Sequence, residues 1–348
     1  MSPLRFGEGW PLARRGVQRG AAPLPGGTGG VPPSEKVHVG GGRESRASLQ
    51  AAPPRYAPPS APERTRESGP TGGDGVNILV SNDDGINVPG LWHLVEALRP
   101  LGTVTVVAPD REQSGVGSAI SLAKAIRMHH IPFRPELVDT YSVEGTPGDA
   151  VIIGINHVLK GQTVDLVVSG VNRGANSSAE VLLSGTVGAA WHGLIRGLPA
   201  IAVSAAVRAD NPLEPNYEAA ARMAAEIGRL IGVGELPRNT LYNLNAPLCP
   251  VAELRGLHHA RPSYGGHADN VREEDDGRGK QHYYLVYRRV PERNRRSTED
   301  WALSRRMFSL TMLDTNLNAR PRRLLPQPQC DAMFARVMAA GWPMYAGG

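Results

Sequence analysis

The chain has 348 residues, 41% of them hydrophobic, two cysteines and a formal net charge of +5. That length allows one large domain or two smaller ones with a sizeable core. Two cysteines exclude a disulfide framework or a cysteine metal cluster and suit a reducing compartment, and no apolar run is long enough for a membrane span or shaped as a secretory signal.

Residues 1–75 carry ten Lys/Arg against six Asp/Glu, together with 12 of the 30 prolines and 15 of the 41 glycines. Most of the net charge therefore lies there, and the basic balance gives weak ground for a nucleic acid or anionic membrane as partner. Stretches such as PLPGGTGGVPPSEK cannot bury enough apolar surface to offset chain entropy, so 1–75 is expected to be a disordered Pro/Gly-rich extension. Its arginines leave an organellar transit peptide as the alternative to a cytoplasmic chain with a plain tail.

From Asn77 the pattern changes. Ile78–Val80 reads as a strand and runs into Asn82-Asp83-Asp84-Gly85. Pro89–Leu98 reads as a helix with Leu91, Leu94, Val95 and Leu98 on one face, and Val104–Ala108 as the second strand. Pro147–Leu159 is a helix that Thr146 can cap, with Asp149 three residues on and Pro147 at the first helical position. Leu166–Val168 is a strand, Ser184–Ile195 a small-residue helix, Ala200–Val203 a strand, Ala219–Ile231 an amphipathic helix and Leu241–Leu244 a strand. Strands that are apolar throughout, alternating with helices, predict a mostly parallel sheet covered on both faces: an α/β, Rossmann-like three-layer sandwich over residues 76–260. Residues 261–348 are more charged and less periodic. VREEDDGRGKQH reads as a loop, His282–Val290 and Met307–Leu313 as strands, and the region as a hairpin-bearing extension able to act as an oligomerisation arm.

Three of the strands end in polar, glycine-marked loops: SNDDG at 81–85, APDREQSGVGSAISL at 108–122 and SGVNRGANSS at 169–178. In an open parallel sheet such loops share the ligand-binding edge. Together they offer Asp83, Asp84, Ser114 and Asn172. Two carboxylates, a hydroxyl and an amide oxygen are hard donors, suited to Mg²⁺ or Mn²⁺. Adjacent carboxylates repel unless a cation, an arginine or water lies against them. Each motif alone is more often a turn or a cap. A fourth element, Ser184-Gly185-Thr186, opens a helix whose free N–H groups favour an anion, although an ordinary N-cap is the commoner use. No Walker loop, dinucleotide fingerprint or nucleophile elbow is present.

These motifs, with EGTPGDAV, SGTVGAA and GLPAIAVS in the same order along 77–204, resemble the SurE family of metal-dependent nucleotidases, the survival protein family. The resemblance implies a phosphomonoesterase acting on nucleoside 5′- or 3′-monophosphates, with some members linked to short polyphosphate. It implies catalytic Asp83 and Asp84, and a single Mg²⁺ or Mn²⁺ per subunit held by Asp83, Asp84, Ser114 and Asn172. It also implies a homodimer or homotetramer built through an exchanged C-terminal arm. Asn82, Ser118, Ser184, Gly185 and Thr186 are the candidates for holding the phosphate. The run Asn176-Ser177-Ser178-Ala179-Glu180 departs from the family's usual pair of acids. Two other readings share this architecture: a metal-dependent nucleotide-sugar glycosyltransferase and a non-catalytic nucleotide- or phosphate-binding module. No membrane or specific nucleic-acid partner is expected.

Overall fold

The computed structural model describes residues 76–132, 138–208, 213–263, 265–267, 269–277, 279–286, 289–290, 295–315 and 325–341. The segment expected to be disordered, 1–75, lies outside the described residues. The strands in chain order are β1 (Val76–Ser81), β2 (Gly102–Pro109), β3 (Met128–His130), β4 (Asp139–Val143), β5 (Leu166–Arg173), β6 (Ala200–Ala205), β7 (Leu241–Ala246), β8 (Gly256–His259), β9 (Gly266–His267), β10 (Asn270–Asp275), β11 (Gln281–Val286), β12 (Arg289–Val290) and β13 (Met307–Leu313). The α-helices are α1 (Pro89–Leu98), α2 (Pro147–Ile153), α3 (Glu180–Leu183), α4 (Gly185–Leu194), α5 (Tyr217–Gly232), α6 (Glu299–Ser304) and α7 (Gln327–Ala339).

Nine strands form the main sheet in the order β3-β4-β2-β1-β5-β6-β7-β13-β8. From β4 to β7 every pairing is parallel, while β3 and β13 run antiparallel to their inner neighbours. Side chains alternate across each strand, which fixes the two cores. Ile78, Val80, Leu166, Val168, Ile201 and Val203 face the layer of α1, α5 and α7, whereas Leu79, Val167 and Ala202 face α2 and α4. Both faces are buried, so the strands read as unbroken apolar runs. The architecture is the expected three-layer α/β sandwich.

Local chemistry sets several boundaries. Thr146 and Asp149 form a capping box, with Thr146 N–H donating to Asp149 Oδ2 at 2.9 Å and Asp149 N–H to Thr146 Oγ1 at 3.1 Å; such a cap contributes about 1 kcal/mol. The helix expected to reach Leu159 stays α-helical only to Ile153 and continues as a wider π-type turn over Gly154–Val158. At that point Gly154 lies on β1, where an added Cβ would be 2.8 Å from Leu79 Cδ1.

Beyond residue 260 the chain does two things. It adds β13 to the main sheet between β7 and β8, and it forms a separate antiparallel hairpin, β10–β11. Residues 271–275, part of the stretch expected to be a loop, lie in strand β10. Cross-strand pairing from Asn270↔Val286 to Asp275↔Gln281 overrides their charged composition, because both faces of the hairpin are exposed and the charges stay in water.

α7 is held to β8 through His259. Its Nδ1 accepts the backbone N–H of Leu325, and burial, followed by the neighbouring His258, pushes its pKa down to about 4 from 6.5. Below pH 6.5 the unfolded chain takes up a proton that the folded chain refuses, so stability is lost as pH falls from 6.5 towards 4. His259→Asn keeps an acceptor near Nδ1 and removes the titration. Its melting temperature is expected to fall less than wild type between pH 7 and pH 4.5. Parallel melting curves for the two proteins would rule out His259 as a source of acid sensitivity.

Candidate active site

The strand order reverses at β1. The chain passes from β1 outward through β2 to β4, then returns to β5 on the other side of β1. In open parallel sheets ligands bind at such a switch point, outside the carboxyl ends of the strands. The loops after β1, β2 and β5 open there, as does the N-terminus of α4.

Asp83 is buried at 3% exposure. Its carboxylate accepts the side-chain hydroxyl and the backbone N–H of Thr186 at the start of α4. Its carbonyl accepts Gln113 N–H at 2.7 Å, which draws the β2 loop and Ser114 alongside. Gly185 closes the same contact: an added Cβ would lie 2.8 Å from Asp83 Cβ and 3.0 Å from Oδ2. Asp84 is less buried and accepts the backbone N–H of Arg173 at 3.0 Å, which brings the β5 loop and Asn172 to its side. Asn172 donates from Nδ2 to Gly174 O at 2.8 Å, leaving its Oδ1 outside that bond. Ser114 is exposed, and its hydroxyl donates to Glu112 Oε1 at 2.9 Å.

The electrostatics are strained. Burial pushes the Asp83 carboxyl up to about 6, with Thr186 opposing and Asp84 adding to the shift. Burial also raises Asp84, with Glu112 adding and Arg173 N–H opposing. Two adjacent desolvated carboxylates with a third acid nearby call for positive charge. Among the described residues no three His, Cys, Asp or Glu side chains form a group that could hold a metal ion. Asp83, Asp84, Ser114 and Asn172 Oδ1 are oxygen donors of the hard type that a divalent cation takes.

The expected phosphate-holding residues fall into distinct places. Asn82 is fully buried. Its Nδ2 donates to Gly85 O at 2.8 Å, and among the described residues its Oδ1 has no hydrogen-bond partner. Ser118 is exposed at the rim, where its carbonyl lies 3.0 Å from His192 Nε2 and Gly117 N–H donates to Leu183 O at 2.8 Å. Ser184 caps α4 by accepting Val187 N–H at 3.1 Å. Thr186 and the α4 dipole are turned on Asp83, the protein's own anion. Sequence reasoning missed Tyr217, which packs beside Gly90 at the start of α1, stacks on His93 and has its phenol pushed up by burial and by Asp84. A single Tyr that opens α5 after a polar stretch gave no periodic signal.

The fold and this edge define an α/β protein with an oxygen-lined, acidic site at the sheet's switch point. The profile of the survival protein SurE family matches residues 78–268, and the chain belongs to that family. It is 39% identical over 265 residues to 5′-nucleotidase SurE of Dehalococcoides mccartyi, covering 76% of this chain and 98% of that one. It is 42% identical over 245 residues to 5′-nucleotidase SurE of Geobacter sulfurreducens, covering 70% and 89%. It also resembles the crystal structure of the SurE protein from Aquifex aeolicus, with a TM-score of 0.59, 33% identity and coverage of 70% of this chain and 94% of that one.

Proposed function

We propose that the chain is a metal-dependent 5′-nucleotidase that hydrolyses nucleoside 5′-monophosphates to nucleoside and phosphate. The observation that carries this reading is the convergence of three segments on one aspartate pair: Thr186 on the Asp83 carboxylate, Gln113 on the Asp83 carbonyl and Arg173 on the Asp84 carboxylate. The relatives named 5′-nucleotidase support it over a glycosyltransferase or a non-catalytic module. Activity on 3′-monophosphates and short polyphosphate, and the choice between Mg²⁺ and Mn²⁺, belong to the same proposal.

In this mechanism Asp83, Asp84, Ser114 and Asn172 hold one divalent cation. When bound, the cation neutralises charge that develops on the phosphoryl group. Thr186 keeps the Asp83 carboxylate fixed, and Arg173 N–H does the same for Asp84. Ser118, Ser184 and the backbone near Gly185 are proposed to hold phosphate oxygens, with Asn82 bracing the turn that presents both aspartates. Water attacks phosphorus in line, the bond to the nucleoside oxygen breaks, and that oxygen leaves with a proton. Catalysis is then mostly positioning and charge stabilisation.

The hairpin β10–β11 supports the proposed homodimer or homotetramer. Its Tyr283, Tyr284, Leu285 and Val286 are exposed, Leu285 at 85%, and such a surface suits burial against a second copy. Buried Cys249 and Cys330, both free thiols, support a cytoplasmic location, and among the described residues no helix is long and apolar enough to cross a membrane.

The test is phosphate release from AMP and p-nitrophenyl phosphate with Mg²⁺ or Mn²⁺, alongside the sedimentation mass. Turnover is expected to fall at least about 100-fold with a chelator and to return on adding metal. Nucleotide binding without any phosphate release would favour the binding module instead.

A further inference from the structure

The connection that follows Asn172 and leads to Ser184, residues 174–180, is a short polar stretch of the kind that ordinarily lies loose on a surface. Here it is tied inward from five directions. Asn176 N–H donates to Asn245 Oδ1 at 2.7 Å, and its Nδ2 to Ser204 Oγ at 2.9 Å. Its carbonyl accepts Asn243 Nδ2 at 2.8 Å and Asn245 Nδ2 at 3.1 Å. Ser177 Oγ donates to Asp300 Oδ1 at 3.2 Å. Ser178 adopts φ +61°, a left-handed conformation that an L residue holds only when its surroundings enforce it. Its hydroxyl accepts Gly265 N–H at 3.0 Å.

At the centre lies Glu299, the first residue of α6, with 0% exposure. Its Oε2 accepts Ser178 N–H at 2.8 Å and Ser263 N–H at 3.1 Å. Its Oε1 accepts the Thr311 hydroxyl at 2.8 Å, with Asn243 Nδ2 at 3.4 Å. One carboxylate thus joins the connection, whose Ser178 is 121 residues away in sequence, to β7, β13 and the 263 turn. Burying a carboxylate is costly unless its oxygens are filled with donors, and these are.

We propose that Glu299 is a positioning residue for the phosphatase site. It fixes the 174–180 connection, and so holds Asn172 at one end and Gly185-Thr186 at the other in register with Asp83 and Asp84. The inference rests on the proposed phosphatase reading and adds a residue of the C-terminal region to it. Glu299 does not touch the reacting atoms; it acts through the backbone N–H of Ser178. A displacement of the connection by about 1 Å at either end is of the size that costs roughly 100-fold in rate.

The experiment compares wild type with Glu299→Gln and Thr311→Val in the full chain, well below their melting temperatures. Four quantities are read: kcat and KM for AMP, hydrogen exchange of the 174–186 segment, and thermal stability. Glu299→Gln keeps the shape but exposes Ser178 N–H or its neighbours to an amide donor. It is expected to lower kcat about 10- to 100-fold, with KM changing less than about threefold, and to speed exchange in 174–186. Thr311→Val removes only the sheet-side hydroxyl. It should lower the melting temperature while leaving kcat within about threefold. If Glu299→Gln proves too unstable, Ser177→Ala loosens the same connection from the loop side and should lower kcat about fivefold with faster exchange. Wild-type kcat and wild-type exchange in a folded Glu299→Gln protein would overturn the proposal. Should wild type release no phosphate from any substrate, the phosphatase reading falls by itself. Exchange still decides the anchor: faster in Glu299→Gln upholds it, unchanged removes it.

Discussion

Asp83→Asn is expected to fold normally and to lose at least about 10³-fold in kcat/KM for AMP, or roughly 4 kcal/mol of transition-state stabilisation. The substitution is nearly isosteric and leaves an oxygen for the Thr186 hydroxyl, so the loops keep their contacts. What it removes is the charge proposed to balance a divalent cation. Stability in chelator should move the other way. Burial raises the Asp83 carboxyl from 3.8 to about 6. For an acid raised in this way the folded state prefers the proton, so ionisation erodes stability as pH rises from 3.8 through 6. At neutral pH the charge costs about 3 kcal/mol in the metal-free protein. Asp83→Asn is therefore expected to melt several degrees higher than wild type in chelator, and to show none of the stabilisation by Mn²⁺ expected of wild type. Undiminished turnover with Mg²⁺ or Mn²⁺, or an unchanged thermal response to Mn²⁺, would end the assignment of Asp83 as a ligand.

The second large effect concerns a single methyl group. Gly185→Ala is expected to lower kcat/KM about 100-fold and to cost about 1–3 kcal/mol of stability. The added Cβ would meet Asp83 Cβ at 2.8 Å, Asp83 Oδ2 at 3.0 Å and Gln113 O at 3.1 Å. The carboxylate is held at the opposite side by Thr186, and the Gln113 carbonyl belongs to the backbone, so neither can withdraw cheaply. The aspartate must rotate or α4 must retreat, and either spoils the alignment of the pair. Gly232 at the end of α5 is the control, because an added Cβ there meets nothing within 4 Å. Gly232→Ala should leave kcat/KM unchanged. Equal kinetics for Gly185→Ala and Gly232→Ala would show that the close approach to Asp83 has no part in catalysis.

The legibility of this protein in its sequence follows from the range of the interactions involved. The inner strands and their helices were readable because burial on both faces leaves a continuous apolar run at Ile78–Val80 or Leu166–Val168, and a one-sided stripe at Leu91, Leu94, Val95 and Leu98. The capping box at Thr146 and Asp149 was readable because its partners are three residues apart. The peripheral elements were harder. β10 is charged throughout and exists because β11 pairs with it. α7 buries Cys330, Met333 and Val337, a helical spacing that a closer reading of 327–339 could have found.

For the site, the residue types at the ends of β1, β2 and β5 were set by the sequence alone: two neighbouring carboxylates, a serine and an asparagine, each following an apolar strand. Those are local choices, and hard oxygen donors carry their chemistry wherever they stand. Tertiary structure alone decided what faces them. It turned Thr186 and the start of α4 onto Asp83, placed Gly185 against the same carboxylate, and brought Glu299 beneath the loop that bears Ser178. Such pairings span more than 100 residues and depend on strand order and register. No periodicity or local motif records them, because they arise only when the sheet has closed and distant donors fall within hydrogen-bond reach.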